Sequence, residues 1–383
     1  MKLLSAWLAV ILCVSSCQMN DSTKHTVAPA NAQETELSND FHIAAPVSVF
    51  STYVSEESRA KCKLITAERK ACIDDAIEAS YFFRALKNSG AFPNALAASE
   101  ESDYQILVAN QAATIASPSW WNKSFHTLTG ATAPLTDERV HFTELTVQWR
   151  GLEIDSLLIE THLSMTDVHT PKTVAETVIA SWWSHALKKG LFTAQYLFKA
   201  LNASDYLNEM RVPETIETFT RFDTQLFHDP FQGAITRYTH NEFEDALLDI
   251  SVFPLTGNLD ASIEATLISV LEKEQSDAQI VAQARNLSLL VDQPIAEFTK
   301  GKELISDKVY MLALHADGER TEPIFATTYV FRQQDKIVKV STTFPPRIAD
   351  PLVKQALPSI KVPSESPLMS ALREMAKARN TVN

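Results

Sequence analysis

Residues 145–163 read Leu145-Thr146-Val147-Gln148-Trp149-Arg150-Gly151-Leu152-Glu153-Ile154-Asp155-Ser156-Leu157-Leu158-Ile159-Glu160-Thr161-His162-Leu163. Leu145, Val147 and Trp149 alternate with polar neighbours, which is the period of a strand with one buried face. Arg150-Gly151 breaks the run, and Ile154 to Leu163 supplies the returning arm of a hairpin. A hairpin this long needs a sheet around it. Tyr104, Ile106 and Val108 repeat the alternation upstream, and Pro46 to Val54 reads as an opening strand. Between them the pattern predicts a helix from about Ala67 to Ser89, stopped by Gly90. Downstream, Ala175, Val178, Ile179, Trp182, Trp183, Ala186 and Leu187 form a broad apolar helical stripe ending in Lys188-Lys189-Gly190, and a second helix, Leu191 to Leu201, follows. Strand, helix, strand, hairpin and helix in this order predict an α+β domain over 41–205.

A second domain is expected over 206–346. Leu248, Ile250 and Val252 alternate before Pro254, and a helix rich in Ile, Leu, Val and Ala runs from about Ala261 to Asn286. Further strands are read at Pro294 to Thr299, Val309 to Leu314, Ile324 to Phe331 and Ile337 to Thr343. The last two are joined through Gln333-Gln334-Asp335-Lys336 as a hairpin. Short links and one long helix imply a mainly antiparallel sheet covered on one face. The fold class is therefore α+β in two domains, each a mainly antiparallel sheet covered by helices. Six prolines between Pro345 and Pro367 predict an extended strap, with one or two helical turns near Leu352. Ser366-Pro367 then opens a last amphipathic helix, with Leu368, Leu372, Met375 and Ala376 on one face and Arg373, Lys377 and Arg379 flanking it, so that 347–383 reads as strap plus helix. That helix either docks on its own protein or offers a basic face to a partner.

The amino terminus sets the address. Lys2 precedes an apolar run from Leu3 to Val14, too short for a permanent membrane span of roughly 20 residues but of the length of an export signal. The tetrapeptide Val14-Ser15-Ser16-Cys17 resembles the lipobox of bacterial lipoprotein precursors, an aliphatic residue and two small residues before a cysteine. The resemblance implies removal of residues 1–16 as a signal peptide and lipidation of Cys17. Gln18 in place of an Asp implies the outer membrane as the destination, and the periplasmic face is the side expected. Residues 17–40 lack aromatics and are rich in Asn, Ser, Thr, Gln and Ala, so they are expected to form a lipidated flexible tether.

Export gives the other cysteines a meaning. Cys62 and Cys72 remain as an even pair, which in an exported chain reads as a disulfide. One straight helix through both would hold them about 15 Å apart, so the bridge requires a reversal. Thr66 with Ala67-Glu68 is the expected start of a helix after Cys62. Two free thiols are the alternative.

In Phe82-Phe83-Arg84-Ala85-Leu86-Lys87-Asn88-Ser89-Gly90-Ala91-Phe92, followed by Ser102-Asp103-Tyr104-Gln105-Ile106-Leu107-Val108, the chain resembles small periplasmic lipoprotein domains related to the TolB amino-terminal domain and the curli secretion lipoprotein. That resemblance implies no catalytic residue.

No motif supplies chemistry. The eight glycines stand at least 17 positions apart, which excludes phosphate-cradling loops, dinucleotide fingerprints and nucleophile elbows. The balance of 34 basic and 47 acidic residues, −13 overall, disfavours nucleic acid as a partner. His162, His169 and His185 lack a spacing that would require zinc, and His228-Asp229 lacks a distinguished nucleophile. Accordingly no catalytic residue, metal or cofactor is expected. Trp120-Trp121 after Pro118 is the candidate ligand contact, because indoles in a groove stack on sugars or grip apolar peptides; Trp182-Trp183 reads as core. The expectation is a non-enzymatic, membrane-anchored binding or envelope-assembly factor, with an envelope protein or peptidoglycan as its partner. An envelope hydrolase or a glycan-binding module is the alternative.

Overall fold

The alternating segments of the first half assemble as a six-stranded sheet in a computed structural model that describes residues 42–65, 72–99, 102–117, 136–164, 170–257, 259, 262–298, 308–318 and 321–382. Strands β1 (Val47–Ser51), β2 (Ile73–Asp74), β3 (Ala95–Ala97), β4 (Tyr104–Ser117), β5 (Thr136–Trp149) and β6 (Leu152–Ser164) take the order β3-β1-β4-β5-β6, with β2 against β4. The sheet is mixed: β1 runs parallel to β3 and β4, whereas β4, β5 and β6 form an antiparallel meander. The β5–β6 hairpin turns where the sequence places it. Arg150 and Gly151 both take left-handed backbone (φ 48° and 81°), as a two-residue turn between twisted strands requires. Arg150 is held there by its N–H on the Asp103 carbonyl (2.7 Å) and its guanidinium on the Asp103 carboxylate (2.7 Å).

Because side chains alternate across a strand, each face of this sheet collects its own core. Val140 and Phe142 enclose Cys62 and Ala113 beside the helix α1 (Glu56–Ile65). The opposite parity, Leu145 and Val147, is buried along with residues of helices α2 (Ala79–Asn88) and α3 (Pro171–Lys189), which pack on each other. Gly190 ends α3 in left-handed backbone, and α4 (Ala194–Ala200) follows.

Of the helix expected over 67–89, the described residues show only its second part as helix, α2, with β2 ahead of it; residues 66–71 lie outside the described residues, and α1 is a separate helix upstream of the expected start. Two signals account for the difference. Ser55 caps α1, its Oγ accepting from Ser58 N at 3.2 Å ahead of Glu56 and Glu57, and so starts a helix before Cys62; the start expected at Thr66 lies outside the described residues. Asn110 on β4 accepts from Ile77 N (2.9 Å) and donates to Ile77 O (2.7 Å), consuming the backbone groups a continuous helix would need. The chain thus reverses after α1, and Cys62 and Cys72 are disulfide-bonded with their Cα atoms 6.3 Å apart.

The chain divides between Leu201 and Asn202 into two compact units. The second carries an eight-stranded sheet in the order β11-β12-β13-β14-β10-β9-β8-β7, every neighbouring pair antiparallel. After the short helix α5 (Tyr206–Glu209) come β7 (Thr215–Ile216), β8 (Phe219–Leu226), β9 (Ala234–His240) and β10 (Leu247–Pro254). The long helix α6 (Ile263–Ala284) leads into β11 (Ser288–Glu297), β12 (Val309–Gly318), β13 (Thr321–Gln333) and β14 (Lys336–Thr342). Leu267, Leu271 and Ala278 of α6 pack on Leu312, Leu314, Val330 and Ile337.

One expectation is corrected here: both sheet faces are covered. Tyr329 neighbours Val330 and so points away from α6, and its hydroxyl donates to Asp350 Oδ1 (2.5 Å) on α7 (Pro346–Ala356). The proline-rich segment is therefore a packed helix rather than a strap. Pro346 occupies the first turn, where a missing N–H costs nothing, and Pro351 forfeits one bond while Ala349, Leu352, Val353 and Ala356 are buried. Beyond it, Lys361 bridges to Arg211, Gln333 brackets Ile360 O and Val362 N, and Ser366 Oγ caps α8 (Pro367–Val382) by accepting from Met369 N.

Candidate ligand groove

An apolar opening lies at one end of the eight-stranded sheet. Five chain segments converge there: the β7–β8 turn, the end of β9, the loop before β10, the start of β13, and the exit of β14 into α7. Together they enclose about 640 Å³, within the range of ligand sites. Phe219, Phe325, Phe344, Ile348 and Leu352 contribute apolar surface, with Phe243 standing 61 % exposed at the mouth. The aromatic rings brace one another: Phe219 meets Phe344 at 5.6 Å and His240 at 5.2 Å, and His240 meets Phe243 at 4.9 Å between centroids.

Polar groups set the shape of this site. Thr343 Oγ1 accepts from Leu247 N (2.9 Å) and donates to Asp245 O (3.0 Å), fixing the loop that forms one wall. His240 Nδ1 accepts from Glu242 N (3.1 Å), which places the ring proton on Nε2. Glu217, Asp245 and Glu322 bring three carboxylates to the lining, and among the described residues no Lys or Arg accompanies them there. Such a site attracts cations and apolar groups. Among the described residues it holds no nucleophile paired with a base.

A second constellation lies in the first unit. Asp155 on β6 is buried and accepts from Lys189 Nζ (2.7 Å) and Tyr196 Oη (3.2 Å), with His185 Nε2 at 3.5 Å. Burial, reinforced by the Asp155 charge, pushes the Tyr196 hydroxyl up to about 12, so it remains a proton donor at neutral pH. The cluster ties β6 to α3 and α4 around one carboxylate and opens onto none of the cavities described. An opening of similar size beside β1 and β4 is polar, and its charged groups, Asp103 and Arg150, satisfy each other. A further space of about 30 Å³, edged by Asp249, Glu274 and Thr328, has room for water only.

Cys17, Trp120, Trp121 and His169 lie outside the described residues. Trp182 and Trp183 take part in an aromatic cluster with Phe92 and Phe192, and Trp182 is fully buried, as a core reading requires. His162 pairs with Glu160 on an exposed part of β6, and Asp229 caps a short 3₁₀ turn by accepting from Phe231 N (2.8 Å). Among the described residues no group of three or more His, Cys, Asp or Glu could hold a metal ion. Sequence reasoning missed the groove entirely. The only local hint was the aromatic and acidic character of Phe243-Glu244-Asp245, beside a histidine two residues before Glu242. No family model and no curated protein matches the chain.

Proposed function

We propose that this chain is a lipoprotein moored through Cys17 to the periplasmic face of the outer membrane, where it acts as a non-enzymatic binding or envelope-assembly factor. The observation that carries the reading is Val14-Ser15-Ser16-Cys17-Gln18 behind a short apolar run. Buried acyl chains contribute about 0.8 kcal/mol per methylene, so several on one residue make a durable anchor. The Cys62–Cys72 disulfide supports an oxidising compartment, because such bonds persist outside the cytosol. The groove at the end of the second sheet supports a binding role rather than a catalytic one, since it joins an apolar floor to carboxylates without an activated nucleophile.

Radiolabelled palmitate fed to cells expressing the chain tests the anchor. Label is expected in the wild type and in the outer-membrane fraction, and is expected to vanish with Cys17→Ser. Equal labelling of the two, or label confined to the inner membrane, would refute the assignment.

A further inference from the structure

The groove combines two kinds of recognition that seldom suit the same ligand. Its floor is aromatic and aliphatic, and Phe243 and Ile348 keep 61 % and 44 % of their surface open at the mouth. Among the described residues its charged lining is of one sign, with Glu217, Asp245 and Glu322 drawn from three separate segments. A fatty acid or an acidic peptide would bring like charge against three carboxylates, and a neutral apolar ligand would leave them without partners. Lysine and arginine solve both demands, because their aliphatic stems lie along apolar surface while the cation reaches a carboxylate or the face of a ring. Glu217 adds a sign of construction: it sits in left-handed backbone (φ 50°), a conformation more readily filled by Gly or Asn than by Glu.

We infer that the groove binds an extended peptide segment in which lysine or arginine alternates with leucine or phenylalanine. The inference rests on the binding-factor reading and names its ligand class. The apolar side chains lie against Phe243, Phe325 and Ile348, and the cations meet Asp245 and Glu322 at the rim.

The test uses the full expressed chain and fluorescence anisotropy with fluorescein-labelled Lys-Leu-Lys-Phe-Lys-Leu. Saturable binding is expected, weakening with added salt as screened charge pairs do. A probe with Glu for Lys, and one with Ser for Leu and Phe, are both expected to bind at least about tenfold more weakly. Phe243→Ala and the pair Asp245→Asn with Glu322→Gln are each expected to lower affinity about tenfold. These side chains are exposed, so the variants keep the core; should Phe243→Ala fail to fold, Glu322→Gln alone carries the same comparison. Binding of all three probes alike, preference for the acidic probe, or undiminished binding by the variants would each overturn the inference. Self-association that displaces the probe would assign the groove to a second copy and overturn it too. Palmitate labelling is independent of this assay, so loss of the anchor and loss of the peptide site are separate results.

Discussion

His141 lies in β5 with 4 % of its surface exposed, and its Nδ1 has no hydrogen-bond partner among the described residues. Burial, with the nearby Arg139 charge adding to it, pulls the imidazole down to about 4 from its usual 6.5. The folded protein therefore resists a proton that the unfolded chain accepts. The stabilising effect of a neutral His141 is complete above pH 6.5 and is lost as the pH falls from 6.5 to about 4. That difference corresponds to about 3 kcal/mol. Urea titrations at pH 7 and pH 4 should show His141→Leu losing about that much less stability than the wild type; equal losses would show that the ring titrates freely. Gly233 makes a different demand. Its φ is 68°, and a Cβ there would stand 2.0 Å from the Val252 carbonyl oxygen, a backbone atom that cannot swing aside. Gly233→Ala should cost about 3 kcal/mol or more, combining overpacking with a strained φ. Gly151 shares the left-handed backbone (φ 81°) but has open space around it, so Gly151→Ala should cost only about 1 kcal/mol. Thermal melts separate the two, and similar shifts in Tm would mean that contact with Val252 is not the controlling factor.

At the level of elements, legibility followed periodicity. The Leu145, Val147, Trp149 alternation, the Arg150-Gly151 turn and the Gly190 stop all became what local chemistry demands, because each rule acts within a few residues. Helix α1 was hidden because its sequence, Glu-Glu-Ser-Arg-Ala-Lys-Cys-Lys-Leu-Ile, is mostly polar and buries only Ser58 and Cys62, leaving no apolar stripe to detect. Strand β8 was missed for a related reason: its register shifts between Arg221 and Asp223 and most of it is not buried. The groove was invisible because Glu217 and Leu352, more than 130 positions apart, share it only through sheet order. The disulfide makes α1 a testable element. It closes a short loop, and in the chain-entropy model that loop adds roughly 2 to 3 kcal/mol. Its reduction should release α1 while α3, on the other face of the sheet, keeps its own buried contacts. Hydrogen exchange with and without reductant should show faster exchange in Glu56–Ile65 and little change in Pro171–Lys189. Uniform acceleration would mean that the bridge holds the whole unit rather than this helix.

Across the whole molecule, the carboxy-terminal residues are the part whose role changes most between sequence and structure. Their prolines suggest an extended strap and their last helix either a docked element or a basic face offered to a partner; they complete a buried ionic site in the second unit. Lys336 is fully enclosed at the β13–β14 turn and donates to both oxygens of Asp335 (2.7 Å each) and to Ser364 O (3.4 Å). Burial pulls the Lys336 ammonium down, and Asp335 opposes that pull. Arg373 of α8 approaches Asp335 at 3.6 Å, pairs with Glu365 and donates to Leu255 O (2.7 Å). Removing one member of such a site strands the others without compensation, which costs far more than losing an exposed ion pair. The far end of the same helix differs, since Met375 is 69 % exposed and Lys377 is exposed beside it. Arg373→Met should therefore destabilise the protein by about 3 kcal/mol, whereas Lys377→Met should stay within about 0.5 kcal/mol of wild type. Urea midpoints for the two variants decide the matter. A large loss at Arg373 alone identifies α8 as a latch for its own unit and leaves the acidic groove as the surface offered to partners. Equal small losses would return the segment to the role of a detachable basic arm.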